Sequence, residues 1–209
     1  MCHLATLRRT DASAQAVDRA VKSMQDLFRQ HFPPAMFMVG VWETTGDHVT
    51  KDPGDGLALI QRAAAKNYGP ALYEIGIRQS EGRDLPNDVE KGLATMRQAA
   101  LLGSSAAQFY LGNRYEAGTG VPRELDRARR YFRLCAVRGV PLSQYRLGRL
   151  LLDAPDRPER DYVQAVAWVQ LASEQGVAEA KDFAAQEAAK LTLMQTNWIT
   201  TLKAQLVHK

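Results

Sequence analysis

The chain has 209 residues, of which 45% are hydrophobic and 24% charged, the balance of an ordinary globular protein. Its formal net charge of +4 is too small to indicate nucleic-acid binding by itself, and no apolar stretch approaches the roughly 18 residues of a membrane span. Alanine and leucine (30 and 23 residues) far outnumber valine and isoleucine (14 and 4), which favours an all-α protein because the first pair are strong helix formers.

The first predicted element is a helix over residues 12–31, within a leading segment 1–32 that we expect to cap one end of the molecule. Its apolar stripe is Ala16, Ala20, Met24, Leu27 and Phe28, at the spacing of one helical face. The polar N-terminus does not resemble a signal peptide. The sequence as given therefore favours the cytoplasm, and a periplasmic or secreted location stays open if a leader was removed.

A period of 36 residues organises the next part of the chain. Gly40, Gly76, Gly112 and Gly148 are each 36 residues apart, and a fixed period of this length is typical of repeat proteins. Apolar residues on either side follow a helical spacing, so each period predicts a helical hairpin. The predicted hairpins are 33–68, 69–104, 105–140 and 141–177.

Glycines have two predicted roles in each hairpin. Asn67, Gly103, Gly139 and Gly176 are expected to end the second helices in a left-handed conformation. The series that begins at Gly40 falls inside the first helices, where glycine costs roughly 0.5–1 kcal/mol relative to alanine. A cost that recurs four times indicates that the backbones of the paired helices approach each other closely there.

The segment 178–209 predicts a partial repeat and a second capping helix. Residues 178–190 continue the pattern as a further first helix. Thr192 and Gln195 form a T-x-x-Q capping box, which predicts the start of a last helix with Trp198, Leu202 and Leu206 on its apolar side.

The third hairpin carries a family resemblance. The run from Ala107 to Val121 (AQFYLGNRYEAGTGV) is similar to the first helix and loop of a Sel-one-like repeat, a relative of the tetratricopeptide class. The resemblance covers roughly residues 33–190. It implies a right-handed α-solenoid of about four repeats with capping helices at both ends, and an adaptor that binds another protein, often in bacteria.

The sequence offers no convincing site for catalysis, a metal or a cofactor. Gly118-Thr119-Gly120 lacks the preceding strand and following Lys-Ser/Thr of a phosphate loop, so it predicts a turn between helices. None of the four histidines lies at the spacing of a metal ligand pair. Cys135 takes a position that alanine fills in other repeats, which predicts a buried, inert thiol. No serine is followed by lysine three residues later, as serine β-lactam chemistry would need.

The residues most informative about binding are those on the first helices that the repeat leaves without a packing role. Aromatic, amide and guanidinium groups at such positions are typical of binding surfaces. We expect a partner to lie along the concave side of the solenoid. The candidate contacts are Trp42, Arg78, Tyr110, Asn113, Arg114, Arg146 and Arg149.

These positions predict a protein partner with an acidic segment and an apolar end, and no nucleic acid. Within the adaptor class we favour a bacterial protein that neutralises or positions its partner, which rests on the family resemblance alone. Two alternatives stay open: a hydrolase of cell-wall or β-lactam substrates, and a weak nucleic-acid binder through an arginine-rich face at Arg123, Arg127, Arg129, Arg130, Arg133 and Arg138. The partner's identity and the oligomeric state are not predicted.

Overall fold

A computed structural model of the chain describes residue 16 and residues 19–153 and 158–207. Within these ranges the regular structure is entirely helical and contains no strand, so the predicted all-α class is confirmed. The chain divides into two compact units, Met1–Leu102 and Gly103–Lys209. The start of the predicted leading helix and the loop at 154–157 lie outside the described residues.

The first unit contains a leading helix and two hairpins. The helices are α1 (described over 19–29), α2 (Pro33–Thr45), α3 (Pro53–Ala65), α4 (Gly69–Glu81) and α5 (Val89–Leu101). Small and aliphatic side chains fill the core between them, and the fully buried ones are Ala35, Met36, Ile60, Ala63, Ala71, Met96 and Ala99. The stripe predicted for the leading helix is not buried: Ala16, Ala20 and Leu27 are exposed, while Met24 and Phe28 are half-buried.

The second unit continues the pattern with six helices. They are α6 (Ser105–Ala117), α7 (Leu125–Ala136), α8 (Pro141–Leu152), α9 (Glu159–Glu174), α10 (Ala178–Ala188) and α11 (Leu193–Val207). Phe132, Leu147 and Trp168 are the largest side chains in the core of α7, α8 and α9. The helical hairpins predicted from the 36-residue period are confirmed, as is the all-α solenoid class that the family resemblance implies.

The turns follow the predicted glycine chemistry. Asn67, Gly103, Gly139 and Gly176 have φ angles of 58°, 86°, 78° and 89°, the left-handed region that glycine enters without steric cost and asparagine tolerates. The G-x-G sequence at 118–120 is the predicted turn, and it joins α6 to α7.

The interior glycines lie where paired helices approach, but the neighbouring group differs. A β-carbon on Gly40 would lie 2.7 Å from the carbonyl oxygen of Gly56, and one on Gly56 would lie 2.6 Å from the carbonyl oxygen of Gly40. At Gly112 the nearest atom is instead Cε1 of Phe132, at 2.6 Å. The prediction of backbone closeness is therefore confirmed in the first hairpin, whereas Gly112 makes room for an aromatic ring.

The sequence interpretation missed a second series of small residues, which lies on the second helices. Gly56, Gly92, Ala128 and Ala165 are small residues on the second helices, spaced 36, 36 and 37 residues apart. A β-carbon on Gly76 would lie 3.0 Å from the carbonyl oxygen of Gly92. A search for small residues at this period would have identified the series.

The last helix begins as predicted and packs through Leu202, as expected, and through Ile199, which was not predicted. The Thr192 amide donates to Gln195 Oε1 at 2.9 Å, and the Gln195 amide donates to Thr192 Oγ1 at 3.3 Å, which confirms the capping box. Trp198, expected on the apolar side, is 43% exposed, whereas Ile199 is 2% exposed. Ile199 packs with Val163 and Val166 of α9 and so holds the helix in place.

Candidate partner-binding surface

The first helix of the third hairpin presents a tyrosine and an arginine four residues apart. Side chains at this spacing lie on one side of a helix. The guanidinium of Arg114 donates to the Tyr110 hydroxyl and lies 4.9 Å from the centre of the Tyr110 ring. It also donates to the Thr119 carbonyl at 3.1 Å. Both side chains are half-buried, so the guanidinium is held in one orientation at the surface.

The next first helix repeats this chemistry at Tyr145 and Arg149. Arg149 Nη1 donates to the Tyr145 hydroxyl at 3.1 Å, and its guanidinium carbon lies 4.9 Å from the centre of the Phe183 ring on α10. The hydrogen bond to Tyr145 raises the pKa of Arg149 above its ordinary value. Arginine is charged near neutral pH in any case, so Arg149 presents a cation at this surface.

Arg146 connects α8 to α6 and is the most exposed of the three arginines. Its Nη1 lies 3.5 Å from a carboxylate oxygen of Glu116, a long ion pair of the kind that contributes little to stability. Asn113, predicted as a contact, is half-buried on α6. We call the surface formed by Tyr110, Arg114, Tyr145, Arg146, Arg149 and Phe183 the first-helix face.

Tyr145 and Phe183 were not predicted as members of this surface. Phe183 lies 37 residues after Arg146, which itself lies 36 residues after Tyr110. The same position recurs in α10 after the one-residue insertion that precedes Gly176. Extending the repeat into residues 178–190 would have identified it.

In the first unit, the two predicted contacts, Trp42 and Arg78, differ in burial and in hydrogen bonding. Trp42 is half-buried on α2, and its ring packs edge-on against His48 with 5.1 Å between the ring centres. Arg78 is only 6% exposed. Its Nε donates to Glu74 at 2.8 Å, and its Nη1 donates to Asp84. A buried guanidinium that is paired with two carboxylates is not available to a partner, so Arg78 has a structural role instead.

Comparison with known families agrees with the hairpin pattern. The model of the Sel1 repeat family matches residues 33–68, 69–104, 105–136 and 141–177. The chain belongs to the Sel1 repeat family. A search of curated proteins gave no match.

Solved structures with the same Sel1 fold come from several bacteria. A Sel1 repeat protein from Oxalobacter formigenes is 23% identical with a TM-score of 0.68, over 90% of this chain and 78% of that one. The protective antigen c5321 of uropathogenic Escherichia coli, described as having an SLR fold, is 25% identical with a TM-score of 0.68, over 91% of this chain and 41% of that one. Immunity protein Pa5087 from Pseudomonas aeruginosa is 21% identical with a TM-score of 0.54, over 90% and 74%.

Two further searches of the Sel1 chain concerned metal sites and membrane-spanning helices. In residues 19–153 and 158–207, no group of three or more His, Cys, Asp or Glu side chains is placed to hold a metal ion. No described helix has both the length and the apolar character needed to cross a membrane.

Cys135 is buried within the third Sel1 repeat, as predicted. It is 0% exposed, and burial raises the pKa of its thiol, so little of the reactive thiolate forms near neutral pH. In a Cys2→Ser variant, whose remaining thiol is Cys135, we expect a disulfide reagent to label the denatured protein rapidly and the native protein at least about 100-fold more slowly, because reaction must await local opening.

The control for this labelling experiment uses the neighbouring residue. Leu134 is 45% exposed, so Leu134→Cys in a Cys2→Ser, Cys135→Ala background should react rapidly in the native state. Equal native labelling rates for the two positions would contradict the inert role of Cys135 and reopen the question of a nucleophile.

Arg78 provides a test of its structural role. Replacing Arg78 by methionine removes two charged hydrogen bonds but keeps most of the side-chain volume, so we expect the free energy of unfolding to fall by about 1.5–3 kcal/mol. Urea unfolding measures this change. Arg83, which is half exposed and lies 3.5 Å from the same Glu74, is the control, and Arg83→Met should cost about 0–1 kcal/mol. If Arg78→Met cost no more than Arg83→Met, the structural role of Arg78 would be contradicted and Arg78 would again be a candidate contact with a partner.

Proposed function

We propose that this chain is a non-enzymatic adaptor that binds another protein through the first-helix face. The observation that carries the proposal is the arrangement of Arg114, Arg146 and Arg149. Two of these guanidiniums are oriented by tyrosine rings, and Arg146 is held by a long ion pair. Arginine and tyrosine are enriched at binding hot spots, and an oriented guanidinium loses less conformational entropy when it binds a carboxylate.

The partner we propose carries an acidic segment. Carboxylates form short, charge-assisted and often bidentate hydrogen bonds with arginine. The ring of Phe183 beside Arg149 supplies apolar area for the methylene groups of the same segment. In the first unit, taken by itself, half-buried Trp42 remains our candidate for contact with an apolar side chain of a protein.

The biological role we propose is to neutralise or position that partner. The fold shared with immunity protein Pa5087 supports a neutralising role as a proposal, since a common fold alone does not establish function.

The test is affinity capture from a lysate of the organism that carries the gene, followed by competition. A specific partner should be displaced by hexaglutamate peptide and should be lost when Arg114 and Arg146 are both replaced by alanine. Retention of the captured protein by that double variant would contradict the proposed surface. Turnover of a β-lactam or cell-wall substrate by the purified protein would contradict the non-enzymatic assignment.

A further inference from the structure

The positive charge of the chain is concentrated on and around helix α7. Residues 123–138 contain six arginines and two acidic residues, an excess of four positive charges that equals the net charge of the whole chain, +4. The remainder of the sequence is therefore electrically balanced. A helix and flanking residues that together carry the entire excess charge attract anions to their surface.

Four of these arginines are occupied by partners within the second unit. Arg127 Nε lies 2.9 Å from Glu124, and its guanidinium also donates to the Tyr115 hydroxyl at 3.3 Å. Arg129 pairs with Asp126. Arg138 donates to Gln108 Oε1 at 3.0 Å, and Arg123 donates to the Glu116 carbonyl at 3.0 Å.

The guanidiniums of Arg130 and Arg133 differ from those four because they have no partner among the described residues. Neither forms an ion pair or a hydrogen bond with any group in the part of the chain that the structure describes. They are three residues apart and thus on one side of α7, and Arg133 also follows Arg129 by four residues. Like charges at these spacings destabilise a helix, so the unbound protein carries an electrostatic cost that an anionic ligand would relieve.

Both unpaired arginines line a small cleft. The arginine cleft has a volume of about 280 Å³ and is lined by Asp126, Arg129, Arg130, Arg133, Leu151 and Asp161. Leu151 is 5% exposed and adds apolar surface to the lining. The volume is slightly below the range of about 300–1,000 Å³ for drug-sized ligands, so the cleft suits one or two side chains of a larger partner.

The surroundings of the cleft favour a carboxylate-bearing peptide over a nucleic acid. Nucleic-acid surfaces combine positive charge with free aromatic rings on which bases stack. Here the aromatic rings of α7 are already occupied: Tyr131 stacks on Tyr115 with 5.8 Å between ring centres, and Phe132 is 0% exposed. Asp126 and Asp161 would repel any anion, carboxylate or phosphate, but their oxygens can accept hydrogen bonds from the amides of a peptide, which a phosphate backbone lacks.

We propose that the arginine cleft is a binding site for an acidic peptide segment of a protein, with Arg130 and Arg133 holding its carboxylates. The site is formed by residues other than those of the first-helix face and does not depend on the function proposed for that face.

The test measures by anisotropy the binding of fluorescent hexaglutamate peptide to the full chain carrying Arg114→Ala and Arg146→Ala, so that the first-helix face does not contribute to the signal. The Arg130→Ala, Arg133→Ala double variant should bind about tenfold or more weakly, because each charged hydrogen bond contributes substantially to affinity. The matched control is Arg123→Ala, Arg127→Ala, which removes the same charge from the same segment 123–138 but takes away arginines that are already paired and do not line the cleft. This control should lose less than about threefold, since exposed, paired arginines contribute little.

Four outcomes would overturn the proposal. An equal loss in both double variants would indicate general attraction to α7 rather than a site. Absence of binding in the Arg114→Ala, Arg146→Ala chain would place the peptide on the first-helix face alone. Competition by inorganic phosphate at equal concentration would indicate a simple anion site, and tighter binding of single-stranded RNA at matched salt would indicate a nucleic-acid surface. Retained melting temperatures in the variants show that a loss of binding is not a loss of fold.

Discussion

Replacing Gly56 by alanine is expected to lower the free energy of unfolding by about 1–3 kcal/mol, the usual cost of overpacking. The added β-carbon would lie 2.6 Å from the carbonyl oxygen of Gly40 and 2.9 Å from the amide nitrogen of Thr44. Both are backbone atoms of α2, so the strain cannot be relieved by a change of rotamer. The helices α2 and α3 would have to move apart.

The matched control for this substitution lies in the same helix. A β-carbon on Gly54 would meet only Asp52 Oδ1, at 3.5 Å, which is an ordinary contact. Gly54→Ala should therefore be neutral or slightly stabilising, because alanine restricts the unfolded chain more than glycine does. Urea unfolding of both variants measures the difference. If Gly56→Ala were as stable as Gly54→Ala, close approach of the backbones would not explain the recurring glycines.

The second large effect is expected on binding. Once the captured partner is purified, Arg114→Ala and Arg146→Ala should each weaken binding by about 2 kcal/mol, or roughly thirtyfold in the dissociation constant. The reason is that each variant leaves a partner carboxylate without its charged hydrogen bonds. Isothermal titration calorimetry of each variant with the partner provides the measurement.

Arg127→Ala is the control for these binding variants. Arg127 is an exposed arginine of the same unit whose guanidinium is paired with Glu124, so its removal should change the dissociation constant by less than about fivefold. A larger loss for Arg127→Ala than for the two first-helix variants would show that the partner binds α7 instead. In that case the first-helix face would not be the recognition surface.

The fold could be predicted from the sequence because every repeat imposes the same physical demands. Gly40 and its equivalents recur inside helices at a known cost, and Asn67 and its equivalents recur where a left-handed residue is required. A residue type that recurs at the same position in four repeats is unlikely to be there by chance, so it indicates a structural requirement. The leading helix and Trp198 occur once each, so no repetition constrained their interpretation, and both turned out less buried than expected.

The candidate surface was less predictable because it depends on pairs that cross between elements. Arg78 occupies the same repeat position as Arg114. The carboxylate of Asp84, in the loop after α4, bonds to Arg78 and helps to hold it in a buried position. Arg114 instead donates to Tyr110 and to a backbone carbonyl of its own loop. The repeat pattern gives the position of each side chain on its helix, but not the loop residue that meets it.

The reciprocal contact between Gly40 and Gly56 affects which residues of the first unit can be substituted without moving its helices. Each Cα hydrogen that occupies the place of a β-carbon points at a carbonyl oxygen of the opposite helix, the geometry of weak Cα–H···O hydrogen bonds. Gly76 and Gly92 also face each other's carbonyl oxygens in the next hairpin, at 3.0 and 2.7 Å, but there the side chains of Met96 and Ser80 lie nearer. The spacing of α2 and α3 is thus set by main-chain atoms. Surface side chains on either side of the contact can therefore be replaced without changing the spacing of the helices that carry them. The exposed residues are thus free to vary in sequence and to bind different partners.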